Sequence, residues 1–231
     1  MIIDKINKVI FLELPKTGTS FIRKNLYDYK SDDFIISPIW NFRHSSIRTC
    51  SQVYDLDPKD FDIHCFTRHP EDWLISEFLE YTQNHLIPFL KGHGGIQQRK
   101  ILDKRHSYFL DKDPFDLNVH LDVLFTNKNF KVTGEHNIVK AKSIYKPYIR
   151  CKETLDLNNI HIHRYEDFKN SIEKLFTAFK KPTPNLNEII HKTNTEKPYP
   201  NRQNRSRINR IFDSDFKQFG YQKRTVMALN E

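Results

Sequence analysis

Glycine is scarce in this sequence, which contains six glycines among 231 residues. Gly18 is the only one before residue 92. This scarcity disfavours a Walker-type phosphate loop, because such a loop needs a first glycine and a second one directly before its lysine, whereas Lys16 precedes Gly18. A lone glycine that follows an apolar run indicates instead a backbone that turns tightly at one point.

Cysteines and long apolar runs are also few. The three cysteines, Cys50, Cys65 and Cys151, form no C-x-x-C pair and cannot all be paired in disulfides. This pattern favours a reducing compartment, and we expect the cytoplasm. No apolar stretch approaches the roughly 18 residues that a membrane helix needs, so we expect neither a membrane span nor a secretion signal.

The composition is polar but compatible with a folded core. Hydrophobic residues make up 38% of the chain and charged residues 29%, while 18 phenylalanines and 10 tyrosines supply bulky groups for packing. We expect a single domain over residues 1–231. The formal net charge of +8 favours an anionic ligand or a polyanionic partner.

Apolar runs alternate with helical patterns in the first part of the chain. The run at residues 8–14 predicts a strand before a helix that ends at Tyr27, and the run at 61–67 predicts a strand before a helix opened by Pro70. This alternation predicts an α/β fold with a parallel sheet, in which ligands bind at the carboxyl ends of the strands. The first helix is predicted to start at Thr17 or Gly18. Further strands are predicted at residues 34–37 and 160–165. Further helices are predicted from a cap at Ser45 or Ser46 to Tyr54, at 114–125 and around 172–179.

Two segments depart from this alternation. Residues 84–112 contain three of the six glycines among polar residues, which predicts a mobile loop or an insertion. Residues 192–210 carry a cluster of basic side chains with one acid, Glu196. Such a cluster is typical either of a solvated helix face or of an anion-binding segment.

The turn after the first predicted strand has the composition of an anion site. It reads Pro15-Lys16-Thr17-Gly18-Thr19-Ser20-Phe21. The amides of a first helical turn have no acceptor within the helix, and the helix dipole adds partial positive charge there. We therefore expect phosphate or sulfate at this turn, with Lys16 supplying a full charge.

A second motif, Arg68-x-Pro70 with Ser76 eight residues after the arginine, completes a pattern that resembles the sulfotransferases using 3′-phosphoadenosine 5′-phosphosulfate (PAPS). The resemblance implies a P-loop-like three-layer α/β/α fold with a central parallel sheet. It implies that the segment Lys16 to Phe21 holds the 5′-phosphosulfate, and that Arg68 and Ser76 hold the 3′-phosphate. It also implies that the basic segment 192–210 covers the nucleotide, with Lys197 and Arg205 as candidate contacts, and that no metal is needed.

The resemblance extends to three other segments. His44-Ser45-Ser46 is similar to the histidine that serves as general base in members acting on carbohydrates, which implies that His44 takes the acceptor's proton while Lys16 serves the leaving oxygen. The segment from Arg164 to Phe168 looks like the family's "R-x-E-D" stretch, and Asp215 to Tyr221 looks like its "D-F-x-x-F-G-Y" ending. Glu13 and His69 compete with His44 for the role of base.

The expected activity is transfer of a sulfuryl group from PAPS to a hydroxyl of an acceptor, with a carbohydrate favoured and 3′-phosphoadenosine 5′-phosphate (PAP) as the product. One alternative is a basic protein that binds polyanions or nucleic acid, of which nucleic acid is the less favoured. A P-loop kinase is a weaker alternative. His161 and His163 lie on one face of a predicted strand, and we favour a structural role over a metal site because no third ligand is evident. The sequence predicts no oligomeric state.

Overall fold

The computed structural model describes residues 1–37, 44–91, 107–109, 112–127, 137–149, 159–188 and 197–225. The chain divides into two compact units. The first comprises Met1–Arg68 and Tyr145–Asn194, and the second comprises His69–Ile144 and Thr195–Glu231. A single domain over residues 1–231 stays a prediction. Within the described ranges, no helix is both long enough and apolar enough to cross a bilayer.

The first unit contains a five-stranded mixed sheet in the order β3-β1-β2-β4-β5. Its strands are β1 (Ile2–Asp4), β2 (Val9–Leu12), β3 (Phe34–Ile36), β4 (Asp62–Thr67) and β5 (Ile160–Arg164). The pairs β2-β4 and β4-β5 are parallel, whereas β1 is antiparallel to both β2 and β3. The α/β class is confirmed, but the sheet is parallel only in its β2-β4-β5 part.

The unpredicted strand β1 explains the mixed sheet. Residues 5–8 turn the chain so tightly that β1 and β2 form a hairpin, with Lys8 at a φ of 56°. The Asp4 carboxylate accepts hydrogen bonds from the amides of Ile6 (3.1 Å) and Asn7 (3.0 Å), which stabilises the turn. Three residues are too few to give a periodic signal in the sequence, so the strand was missed.

The helices occur in both units. In chain order they are α1 (Thr19–Leu26), α2 (Arg48–Tyr54), α3 (Pro70–Glu80), α4 (Ile87–Leu90), α5 (Leu117–Thr126), α6 (Ile138–Ala141), α7 (Lys146–Ile149), α8 (Phe168–Ala178), α9 (Arg202–Ile211) and α10 (Asp213–Gln218). Helices α1, α2, α7 and α8 belong to the first unit, and the other six belong to the second.

One face of the sheet packs against α1 and α8. Phe11 of β2 and Phe66 of β4 lie edge to face with their ring centroids 5.9 Å apart, and they share a buried cluster with Ile22 of α1 and Phe176 of α8. Each fully buried side chain of this size contributes about 1.5–3 kcal/mol through the hydrophobic effect. This packing fixes α1, and with it the loop that connects β2 to α1.

Helix α2 begins differently from the prediction. Its N-cap residue is Ile47, and no side chain caps the helix, so the predicted cap at Ser45 or Ser46 is wrong. The Ile47 amide donates instead to the carbonyl of Tyr148 (3.0 Å), a residue about 100 positions further along the chain. A tertiary contact therefore replaces the local cap.

The second unit is helical in its described part. Pro70 occupies the first turn of α3 as predicted, and the helix continues as a π-helix, Tyr81–Leu86, into α4. Residues 84–90 are therefore helical rather than part of a loop, while residues 92–106 and 110–111 of the predicted loop lie outside the described ranges. Helix α5 begins at Leu117 with Asp116 as its cap, three residues after Pro114, where we predicted its start.

Candidate functional site

The loop between β2 and α1 has an unusual backbone. Lys16 and Gly18 adopt positive φ angles of 64° and 77°, and Gly18 is the N-cap of α1. The Thr17 hydroxyl donates to the carbonyl of Leu14 (2.8 Å) and closes the loop on itself. Left-handed residues beside a helix N-terminus form the backbone concavities in which proteins bind phosphate and sulfate.

Glycine is required at position 18 for two independent reasons. Side chains with a Cβ are strained at its φ, and the space beside it is filled. A Cβ there would lie 2.6 Å from Cε2 of Phe168 and 3.1 Å from Cε2 of Tyr165. Both rings belong to the segment that follows β5, so the "R-x-E-D" stretch packs against the loop at Gly18.

Arg68 follows β4 and reaches the same loop. Its Nη1 donates to the carbonyl oxygen of Lys16 (3.4 Å), and its guanidinium lies 4.7 Å from the centroid of the Tyr165 ring. The Arg68 amide donates to the hydroxyl of Tyr145 (2.8 Å), which holds the backbone at the end of the strand. The half-buried guanidinium is thus held at the loop by one hydrogen bond and one ring face, and it retains donors suited to a phosphate.

His44 is also attached to this region. Its Nδ1 lies 2.6 Å from the carbonyl oxygen of Glu13, three residues before Lys16. A carbonyl only accepts hydrogen bonds, so Nδ1 carries the proton and Nε2 is the acceptor nitrogen of the neutral ring. This tautomer is the one that can take a proton through Nε2.

Glu13, one competitor for the role of base, is committed to an ion pair. Its carboxylate is fully buried and accepts from Nε of Arg23 (2.8 Å) and from the amino group of Met1 (2.6 Å). Burial raises the pKa of Glu13, but the amino group and the Arg23 guanidinium outweigh burial and lower it. The carboxylate is therefore a poor proton acceptor near neutral pH.

His69, the second competitor, has a structural position in the second unit. Its Nδ1 accepts from the Glu71 amide (3.3 Å) as the cap of α3, and its Nε2 lies 3.0 Å from the carbonyl oxygen of Gln222. The ring also contacts Phe216 edge to face, with the centroids 5.4 Å apart. Both nitrogens are thus engaged by backbone groups, and the role of His44 as base stays a prediction.

Three other predicted residues, Ser76, Lys197 and Arg205, lie in the second unit. Ser76 is a half-buried residue of α3, and Lys197 is exposed before α9. Arg205 of α9 donates to the buried Glu71 carboxylate through Nε (3.1 Å) and Nη2 (3.3 Å). The partner of Arg205 lies 134 residues away in sequence and could not be read from a local pattern. Nucleotide contacts by Ser76, Lys197 and Arg205 stay predictions.

A third histidine, His64, lies beside His161 and His163, and no local sequence pattern connects it to them. In the parallel register, His64 of β4 lies opposite His161. The His64 and His163 rings are nearly parallel, with centroids 5.1 Å apart, and His64 Nδ1 lies 2.9 Å from His163 Nε2. Burial, reinforced by the neighbouring charges, lowers the pKa of His64 to about 3 and that of His163 to about 4.

This arrangement has the geometry of a structural pair. Two neutral imidazoles joined by an N–H···N bond direct their nitrogens at each other rather than at a shared ion. Among the residues that the structure describes, no group of three or more histidines, cysteines or acids has the geometry to hold a metal. The structural role that we favoured over a metal site stays a prediction.

Comparisons of this chain with family models, curated proteins and solved structures found no match. The resemblance to PAPS-dependent sulfotransferases depends on the motif residues themselves. In the first unit, the loop at Lys16, the base candidate His44, Arg68 and the ring of Tyr165 come from four separate segments and make the contacts described above.

Proposed function

We propose that this chain is a PAPS-dependent sulfotransferase that transfers a sulfuryl group to a hydroxyl of an acceptor, with a carbohydrate as the favoured class. The observation that carries the proposal is the contact of Arg68 with the left-handed loop at Lys16, together with the attachment of His44 to Glu13 just before that loop. The proposal includes a P-loop-like three-layer architecture and a cytoplasmic location.

The loop would hold the 5′-phosphosulfate of the donor. The left-handed backbone at Lys16 and Gly18 and the N-terminus of α1 are suited to a dianionic group. Lys16 would neutralise the charge that develops on the bridging oxygen as the bond between sulfur and that oxygen breaks. Preorganised donors of this kind need no rearrangement during the reaction. Their electrostatic stabilisation of the transition state is the largest contribution to the rate enhancement in many enzymes.

His44 would act on the acceptor. The acceptor oxygen forms a bond with sulfur, its proton passes to Nε2 of His44, and PAP leaves with the electron pair of the broken sulfur–oxygen bond. The Glu13 carbonyl holds Nδ1–H and stabilises the imidazolium that forms. General-base catalysis of this type contributes roughly 10²–10⁴-fold to the rate.

Arg68 would recognise the 3′-phosphate. A planar guanidinium can donate two parallel hydrogen bonds to a phosphate, and the Tyr165 ring restricts its rotation. The 3′-phosphate distinguishes PAP from AMP, so a residue that donates hydrogen bonds to this phosphate selects PAP over AMP. Roles for Ser76, Lys197 and Arg205 are supported by the sequence resemblance alone.

Calorimetric titration tests the proposal. PAP, ATP and AMP are titrated into the wild-type chain, into Arg68→Ala and into Arg48→Ala, a matched control at an exposed arginine of α2. We expect micromolar binding of PAP that is lost in Arg68→Ala, retained in Arg48→Ala and much weaker for AMP. Equal binding of the three nucleotides, or none at all, would refute the proposed site.

A further inference from the structure

Helix α9 carries an unbalanced positive charge. Its sequence, Arg202 to Ile211, contains four arginines and no acidic residue. Two of them are neutralised within the second unit, since Arg205 pairs with Glu71 (3.1 Å) and Arg207 pairs with Asp122 (2.5 Å). Two arginines thus contribute to the packing of the unit.

The other two arginines face solvent. Arg202 and Arg210 are exposed, and within the described ranges neither has an acidic partner. They lie eight residues apart on one side of the helix, with Ser206 midway between them, so about 12 Å of helix axis separates them. Together with Gln203 and Arg207, these three residues form an open surface of α9.

This arrangement is electrostatically unfavourable without a ligand. Arg202 is the first residue of α9, where the helix dipole is positive and disfavours a cation. A bound anion would offset this conflict, and the N-terminus of a helix of this length would itself favour that anion.

We infer that this face of α9, defined by Arg202, Gln203, Ser206, Arg207 and Arg210, binds an acidic polysaccharide. Cations about 12 Å apart suit an extended chain with repeating charges better than a single phosphate group. The Gln203 amide and the Ser206 hydroxyl, which lie between them, can bond to sugar hydroxyls.

This face also favours a polysaccharide over single-stranded nucleic acid. None of the five residues has an aromatic ring, whereas proteins that bind single strands stack bases on such rings. This inference concerns a surface of the second unit and does not depend on nucleotide binding in the first. It goes beyond the proposed function because it assigns a second anion site.

The test measures binding of a fluorescein-labelled heparin octasaccharide to the full chain by anisotropy over a range of NaCl concentrations. The test variant is Arg202→Gln/Arg210→Gln. Its control is Lys30→Gln/Lys59→Gln, which removes two exposed charges from the first unit. We expect the test variant to bind about tenfold more weakly near physiological salt. The negative slope of log K against log [NaCl] should become shallower by about two, because two charges are removed. The control should match the wild type.

Three further measurements make the result decisive. Arg202→Lys/Arg210→Lys, which keeps the charges, should retain most of the affinity. That result would show that the glutamine variant binds weakly because it lacks the two charges and not because it is misfolded. Equal weakening by the test and control variants would overturn the inference, because binding would then follow net charge alone. Tighter binding of a dT oligonucleotide or a DNA duplex of equal charge would also overturn it. Titration of the same samples with PAP reports separately on the proposed function.

Discussion

The His64–His163 pair predicts a marked loss of stability in mild acid. Both side chains are less than a tenth exposed, burial disfavours their charged forms, and the hydrogen bond between them requires at least one neutral ring as its acceptor. Their pKa values in the folded chain lie near 3 and 4, well below the value of about 6.5 for an unfolded histidine. The unfolded chain therefore binds more protons as the pH falls below about 6.5, and the folded state loses stability in that direction.

The size of the effect follows from the unfolded pKa. At pH 5, about 1.5 pH units below it, keeping one histidine neutral costs about 2 kcal/mol, because each pH unit corresponds to about 1.4 kcal/mol. The pair should therefore cost the folded state up to about 4 kcal/mol between pH 7.5 and pH 5. That is a large share of the roughly 5–15 kcal/mol by which most domains are stable.

Urea denaturation followed by circular dichroism measures this effect at several pH values. The comparison is between the wild type and His64→Leu/His163→Leu, which removes both partners so that no buried donor is left unsatisfied. All other titrating groups are common to the two proteins, so the difference between their pH profiles isolates the pair. The variant should lose much less stability than the wild type between pH 7.5 and pH 5. Parallel profiles would refute the reasoning.

Three other predictions follow from contacts around the loop. Gly18→Ala should cost about 1–3 kcal/mol in urea denaturation and abolish PAP binding, because its Cβ would meet Phe168 at 2.6 Å and the φ is strained. His44→Ala should lower kcat by about 10²–10⁴-fold while calorimetry shows nearly unchanged PAP affinity, and an equal loss of both would contradict its role as base. Arg23→Met should cost about 3–5 kcal/mol in urea denaturation, since it leaves the Glu13 carboxylate buried beside a weaker set of partners; a cost below about 1 kcal/mol would show that the pair is dispensable.

Local patterns in the sequence predicted the elements that local forces determine. The apolar run before Pro15 gave β2, Pro70 marked the start of α3, and the scarcity of glycine singled out the turn at Gly18. Each of these signals lies within a few residues of the feature that it predicts. The boundaries of these elements differ from the predictions by only a few residues.

Contacts between distant segments could not be predicted in this way. The bond between His64 and His163 joins residues 99 positions apart, and the ion pair of Arg205 with Glu71 joins residues 134 positions apart. Neither pairing is visible without the sheet register or the packing of the helices. Periodicity shows which face a residue occupies, but it does not show which side chain lies opposite.

The position of the candidate site nevertheless follows from topology. Strands β2, β4 and β5 are adjacent and parallel, so their carboxyl ends meet at one edge of the sheet. The chain leaves these ends at Lys16, Arg68 and Tyr165, which is why three motifs far apart in sequence are in contact. The antiparallel strand β1 pairs with the opposite side of β2 and leaves this edge unchanged. A mixed sheet is therefore compatible with the anion site that the motifs predict.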